Sequence, residues 1–220
     1  MTTSRIEALG DGIFAIAMTI LVLEIHVPVI DNANSRKLLH VLRELAPHVA
    51  GYIVSFLILG TLWIGHHNHF VYIRRADRLL LWLNIGFLCS IAFLPFSTAL
   101  LGAYSNQPVA AALYGSNLLA AGGFLWGHWV YATRGRRLVA ADLSDDLVRM
   151  ARRRVEWGIL VYASAIGVAF LSMPLSLVLF ALMPIVYIIP GKVDRHIAST
   201  AEKERPAHRE RGSRNPTPRS

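Results

Sequence analysis

The chain has 220 residues, 54% of them hydrophobic and only 16% charged, whereas soluble domains carry about 25% charged residues. That balance excludes a soluble globular domain as the bulk of the molecule. The single cysteine, Cys89, excludes an intrachain disulfide framework or a cysteine metal site, and the net charge of +8 has to be explained by where the basic residues fall.

A membrane-crossing helix needs about 20 predominantly apolar residues. Six stretches meet this, at 7–25, 47–67, 79–103, 109–131, 156–172 and 174–190. The last two are separated only by a turn at Ser172, Met173 and Pro174. Read as one helix they would run some 35 residues, about 50 Å at 1.5 Å per residue, too long for one crossing. The expected class is an all-α, multi-pass integral membrane protein with six transmembrane helices in one domain, 1–191, and a basic tail, 192–220. The Pro, Ser and Glu content of the tail reads as disordered. The first stretch is expected to be a retained helix and not a secretory signal. Asp11 and Glu24 flank its apolar run, its N-region has only Arg5, and no small-x-small cleavage site precedes His26 and Pro28.

The basic residues set the orientation. Of the 22 Lys and Arg, all but Arg36, Lys37 and Arg43 fall at the N-terminus, in the loops after spans two and four, or in the tail. Positive loops stay in the cytoplasm, so both termini are expected there. The net charge then has a topological cause, with anionic lipid headgroups as the partner of the tail. Nucleic acid is excluded as a partner because the tail arginines have no interleaved aromatics. Two loops carry helical signals. In 26–46, Leu38, Leu39, Leu42 and Leu45 make an amphipathic helix at the outer surface. In 133–155, Asp142 or Ser144 caps a helix whose basic end lies along the inner leaflet.

The first span, RIEALGDGIFAIAMTILVLEI, places twelve uncharged residues between Asp11 and Glu24. An ionised group at a membrane helix centre costs about 2.5–3.5 kcal/mol on insertion scales, so acids at both ends of a span are either interfacial anchors or functional. The expected topology puts Arg5 and Asp11 at the level of Trp63, His66, His67 and Asn84 in spans two and three. Hydrocarbon supplies no hydrogen-bond partners, so these groups are expected to satisfy one another and fix the rotation of the first helix. The run His66, His67, Asn68, His69 also permits a pH-sensing or metal-ligating role. However, only His66 and His69 share a face, no HExxH is present, and no carboxylate set joins them. No metal, cofactor or catalytic site is assigned, since GxSxG, paired intramembrane carboxylates, a phosphate loop and a Cys/His arrangement are all missing. The chain does not read as an enzyme.

Ile16, Ile20 and Leu23 fall at i, i+4 and i+7, on one face of the first span. Such a stripe faces lipid or core in an ordinary bundle. In a pore it forms a constriction that closes by expelling water. Thr19, in the same turn, could then offer oxygen to a cation, and a ring of Glu24, about 20 Å from Asp11, would concentrate cations at the outer mouth.

The same stretch resembles the first-helix signature of the transmembrane-protein-175 family of potassium channels, in its short prokaryotic form: R-x-x-x-F-S-D followed by G-x-F-A-I-A-x-T-L-L-x-L-E-I. SFLILGTLWIGHHNHF and LLLWLNIGFLCSIAFLPFSTALLGAY are similar to its second and third spans. The similarity covers about residues 5–104. Two positions depart from the motif: Leu9 stands for its Phe and Gly10 for its Ser, which removes an aromatic contact and a hydroxyl. The resemblance implies six helices per repeat, no TVGYG filter, a first helix lining a central pore, and homotetramers. It implies a potassium-selective or potassium-preferring cation channel of a prokaryotic cytoplasmic membrane, with permeant K+ and no cofactor. By position it assigns the constriction to Ile16, with Ile20 and Leu23 above it, and selectivity to Thr19. A proton-permeable channel is the nearest variant. An ion-coupled secondary transporter is the rival, although no charged residue lies at the midplane, where such a site is built.

Overall fold

The structure, a computed structural model, describes residues 3–30, 34–141 and 143–188. The tail at 192–220, the domain boundary before it and the cap candidate Asp142 lie outside the described residues. Seven α-helices follow in order: α1 (Thr3–Leu23), α2 (Ser35–Glu44), α3 (Ala46–Tyr72), α4 (Arg78–Ala103), α5 (Pro108–Thr133), α6 (Asp145–Ala169) and α7 (Met173–Ile188). Among the described residues, α1, α3, α4 and α5 are long and apolar enough to cross a membrane. Helix α6 carries seven charged residues between Asp145 and Glu156 and none from Trp157 onward, and α7 has 16 residues. The chain breaks after α6, at Phe170 to Ser172, so α6 and α7 are separate helices and not one long rod.

Local chemistry sets the helix boundaries. Asn34, Asp77 and Ser144 cap α2, α4 and α6, their side-chain oxygens accepting from Lys37 N (2.9 Å), Leu80 N (3.0 Å) and Leu147 N (3.2 Å). Pro47 and Pro108 sit in the first turns of α3 and α5, where a missing N–H costs nothing. Helix α2 has no buried residue, and Leu38, Leu39 and Leu42 are exposed along it.

Helix α1 packs against α3 and α4 and against no other described helix. Helices α4, α5, α6 and α7 pack successively, and α7 returns to lie against α3. The main core runs through the bundle around Phe14, Ile58, Leu59, Phe87, Tyr114 and Phe180. A second core closes the end that holds Arg5 and the α3–α4 loop, hereafter the basic end, around Ile6, Ile73, Leu80 and Trp129. Toward the opposite end, polar groups pair inside the bundle: Thr98 Oγ1 donates to Ser55 Oγ (2.9 Å), which lies 2.9 Å from the Tyr114 hydroxyl. This mutual satisfaction is what an apolar surrounding demands.

At the basic end the two loops are stitched together. Ile73 bridges Val139, and the Arg74 N–H donates to Leu138 O (2.8 Å). Gly135 and Arg136 both adopt left-handed backbone, φ 61° and 55°. The strain at Arg136, which lacks glycine's freedom, is offset by its guanidinium. That group donates to Ala141 O (2.7 Å), Leu143 O (2.6 Å) and Asp145 (2.8 Å).

Candidate conduction helix and its seat

The two faces of α1 differ sharply. Ile6, Gly10, Phe14, Ala17 and Leu21 repeat at helical spacing and are buried against α3 and α4. On the other face Ile16 is 59% exposed, Ile20 38% and Leu23 70%, and Thr19 is exposed between them. The Thr19 hydroxyl donates to Ala15 O (3.0 Å) and Ile16 O (2.8 Å). Its hydrogen is therefore committed to the helix backbone, and its oxygen presents lone pairs outward as an acceptor. Glu24 lies just past the helix, half-buried.

The buried face is held by a seat built from α3 and α4. Trp63 Nε1 donates to Asp11 Oδ1 (2.8 Å), and the Trp63 ring stacks on His67 with centroids 5.9 Å apart. Next to it His66 Nε2 donates to Asn84 Oδ1 (2.8 Å), both residues being buried. The His66 ring lies almost parallel to Phe87, 5.3 Å away. Phe14 packs on both rings, 6.3 Å from His66 and 5.9 Å from Phe87. Gly10 makes this approach possible: a Cβ there would lie 3.0 Å from His66 Cε1. Of the residues singled out in the sequence, Asp11 with Trp63 and His67, and His66 with Asn84, come together as two adjacent pairings. Arg5 is exposed and makes no hydrogen bond or ion pair with the described residues.

Sequence reasoning missed Phe14, Phe87 and His128. Phe14 was legible as the residue one turn beyond Gly10 on the same face. His128 carried a plainer signal, an ionisable group inside the apolar run of α5. It is buried between His66 (6.1 Å) and His69 (5.8 Å), and His69 stacks on Trp129 at 4.5 Å. No described protein group pairs with either His128 nitrogen or with His69 Nδ1. Among the described residues, no three His, Cys, Asp or Glu side chains are grouped to hold a metal ion. The histidines form an aromatic column behind the seat.

Beyond the spans, Asp77 ties the α3–α4 loop to α5: the Tyr131 hydroxyl donates to its Oδ2 (2.5 Å), and Arg137 lies 3.8 Å from the same oxygen. The Tyr131 hydroxyl first, then the Leu80 N–H, hold the Asp77 carboxyl below its ordinary range.

A family profile described as endosomal/lysosomal potassium channel TMEM175 matches residues 5–95. A potassium channel of Streptomyces collinus is 37% identical over 189 residues, 84% of this chain and 91% of that protein. The chain belongs to the TMEM175 family. A crystal structure of a lysosomal potassium-selective channel TMEM175 homolog from Chamaesiphon minutus superposes with a TM-score of 0.76 at 31% identity, over 85% of this chain and 96% of that one. The endosomal/lysosomal proton channel TMEM175 of Bos taurus is 34% identical over 114 residues, 49% of this chain but only 24% of that longer protein. The TMEM175 family is one of ion channels, not enzymes, and this chain has its all-helical channel fold.

Proposed function

We propose that this TMEM175 protein is a homotetrameric, potassium-selective or potassium-preferring cation channel of a prokaryotic cytoplasmic membrane. Its α1 helices surround the axis. Ile16, Ile20 and Leu23 narrow the path, Thr19 contributes oxygen, and Glu24 biases the outer vestibule toward cations. Six helices cross the membrane, α1 and α3 to α7, with both termini cytoplasmic; residues 1–191 form the channel and 192–220 the basic tail. The pairings of Asp11 with Trp63 and His66 with Asn84 hold the rotation of α1, and Arg5 belongs to the same level.

The observation that carries this reading is the division of α1 into a face within 2% of full burial at Phe14, Ala17 and Leu21 and a face left bare at Ile16, Thr19 and Leu23. The naming of the Streptomyces collinus relative as a potassium channel supports the ion. Permeation would be passive: aliphatic rings reject hydrated ions by size and by dewetting, so selectivity is modest without a carbonyl filter.

The test is reconstitution into liposomes under a potassium gradient, comparing potassium, sodium and proton flux. Ile16→Asn should raise potassium conductance, and unchanged currents in planar bilayers would remove Ile16 from the constriction. Thr19→Ala should shift the reversal potential toward equal potassium and sodium permeability, and an unaltered potential would end its role. The naming of the Bos taurus relative as a proton channel makes proton flux the second reading. Saturable flux coupled to a proton gradient would instead favour a secondary transporter.

A further inference from the structure

Helix α2 links α1 to α3 at the end of the bundle opposite the basic end. At 3.6 residues per turn, Leu38, Leu39, Val41, Leu42 and Leu45 fall within an arc of about 160°, interrupted only by Ser35. Arg36, Lys37, His40, Arg43 and Glu44 fall within the opposite arc of about 120°. A helix divided in this way needs an apolar surrounding on one side, and the protein supplies almost none. Among the described helices α2 packs against α3 alone, and it buries no residue. Leu38, Leu39 and Leu42 are 49%, 50% and 54% exposed. Val27 and Val29, in the segment before it, are exposed as well.

The junction with α3 fixes where this face stands. Leu45 alone separates the two helices, ending one and starting the other with helical backbone, φ −76° and ψ −14°. Its N–H donates to Val41 O and its carbonyl accepts from the Val49 N–H, both at 3.0 Å. The hydrogen-bond ladder thus runs on through the junction, and α2 is not free to swing. Helix α3 has 27 residues, about 40 Å at 1.5 Å per residue, against a hydrocarbon core of about 30 Å, so its ends reach the headgroup layers. Helix α4 marks the same level. Its Gly102 lies against His48 of α3, where an added Cβ would stand 3.0 Å from the imidazole Cδ2. Two residues on, Tyr104 is 57% exposed, and tyrosine at a helix end is characteristic of the membrane–water boundary.

We propose that α2 is a lipid-binding surface lying in the phospholipid interface of the leaflet opposite the basic end. Leu38, Leu39 and Leu42 sit among the upper acyl chains, and Arg36 and Arg43 stand at phosphate depth. The layout of the polar arc selects this occupant. Arg36 and Arg43 share the border next to Leu39, where long basic side chains lay their stems along apolar surroundings and put their heads on phosphates. His40 and Glu44, 3.5 Å apart, occupy the sector turned away from the leucines, toward water. Seated there, α2 holds the outer start of α3 at a fixed depth.

The test is spin-label accessibility in the full chain reconstituted into phospholipid vesicles. Cys89→Ser removes the one native thiol, and Leu38→Cys, Leu39→Cys, Leu42→Cys, His40→Cys and Glu44→Cys are then labelled one at a time with a nitroxide. All five positions are exposed, so a label is tolerated, and the three leucine sites are read independently. Labels at the leucine sites should collide with oxygen and be shielded from a water-soluble nickel chelate, at a depth of about 5–10 Å below the headgroup boundary. Labels at His40 and Glu44 should show the reverse. Leucine-site labels open to the nickel chelate would place the face in water and overturn the proposal. Labels shielded from both reagents would place it against protein, a neighbouring copy included, and overturn it equally. The readout is depth in the bilayer, so it needs only that α3 crosses the membrane and stands apart from ion conduction.

Discussion

The pairing of His66 with Asn84 can be tested as a unit. Both residues are buried, 3% and 2% exposed, and joined at 2.8 Å between α3 and α4. Asn84→Leu leaves an imidazole N–H without its acceptor. An orphaned buried polar group costs about 1–3 kcal/mol, and removing both partners of a bond can be nearly neutral. Taking about 2 kcal/mol and about 2–4 °C per kcal/mol for a chain of this size, Asn84→Leu should lower the midpoint by about 4–8 °C. His66→Phe should cost about the same, because it orphans the Asn84 amide. The double variant is the informative one. The pocket around the ring is already aromatic, with Phe87 at 5.3 Å and Phe70 at 4.8 Å, so a phenyl ring facing a leucine should restore most of the loss. The assay is thermal unfolding in detergent by tryptophan fluorescence at about pH 8, where histidine is neutral, at one scan rate because unfolding of such proteins is often irreversible. A double variant that loses the sum of the two single losses would show no coupling and refute the seat as a hydrogen-bonded unit.

Two further predictions use the glycine and the loop. Gly123→Ala, with nothing within 4 Å of the added methyl, should stabilise α5 by about 0.5–1 kcal/mol through helix propensity. Gly10→Ala gains the same term but drives a methyl to 3.0 Å from a ring fixed by Asn84 and Phe87. Overpacking of that kind costs about 1–3 kcal/mol, so the midpoint should fall; a rise equal to that of Gly123→Ala would mean that His66 can retreat. For Asp77, a folded-state pKa below the unfolded value of about 3.9 gives stability that is full above that value and lost as pH falls through the folded one. Asp77→Asn keeps an oxygen for the Leu80 N–H, so it should lose part of the stability at neutral pH and flatten the acid limb of the pH profile. An acid limb identical to wild type would place the sensitive group elsewhere.

The spans were legible because hydrocarbon leaves the chain few options: long uncharged runs had to be helices, and α1, α3, α4 and α5 follow them closely. The ends were less so. Helix α3 runs five residues past the apolar stretch that ends at 67, because His69 and Phe70 pack inside the second core and not at an interface. The start of α6 lies among charges, at Asp145, where apolar content gives no signal and the Ser144 cap does. The pairing of Asp11 with Trp63 was legible as a matter of depth, since both stand at the same level of a bundle that offers polar groups no other company. What sequence could not supply was the third dimension of that level. His128 comes from a helix 62 positions after His66 in the chain, and only the packing of α5 against α3 and α4 brings the two rings within 6.1 Å.

Hydrophobicity alone cannot say what covers the bare face of α1, because Ile16 and Leu23 are as comfortable against acyl chains as against each other. Spacing carries more information. Arg5, Leu9, Gly12, Ile16, Thr19 and Leu23 are all exposed and follow one another at intervals of four, three, four, three and four. The exposed face is broader than this row, taking in Ala8, Ala15, Ile20 and Val22 as well, but an alternation of three and four within it is the repeat that helices packed about a common axis present to one another. The seam also contains a glycine that permits close approach and a hydroxyl whose hydrogen is bound to the backbone, leaving its oxygen as an acceptor. On the shared axis proposed above each would have a use, and the pairings of Trp63 with Asp11 and His66 with Asn84 would hold the seam in register with it.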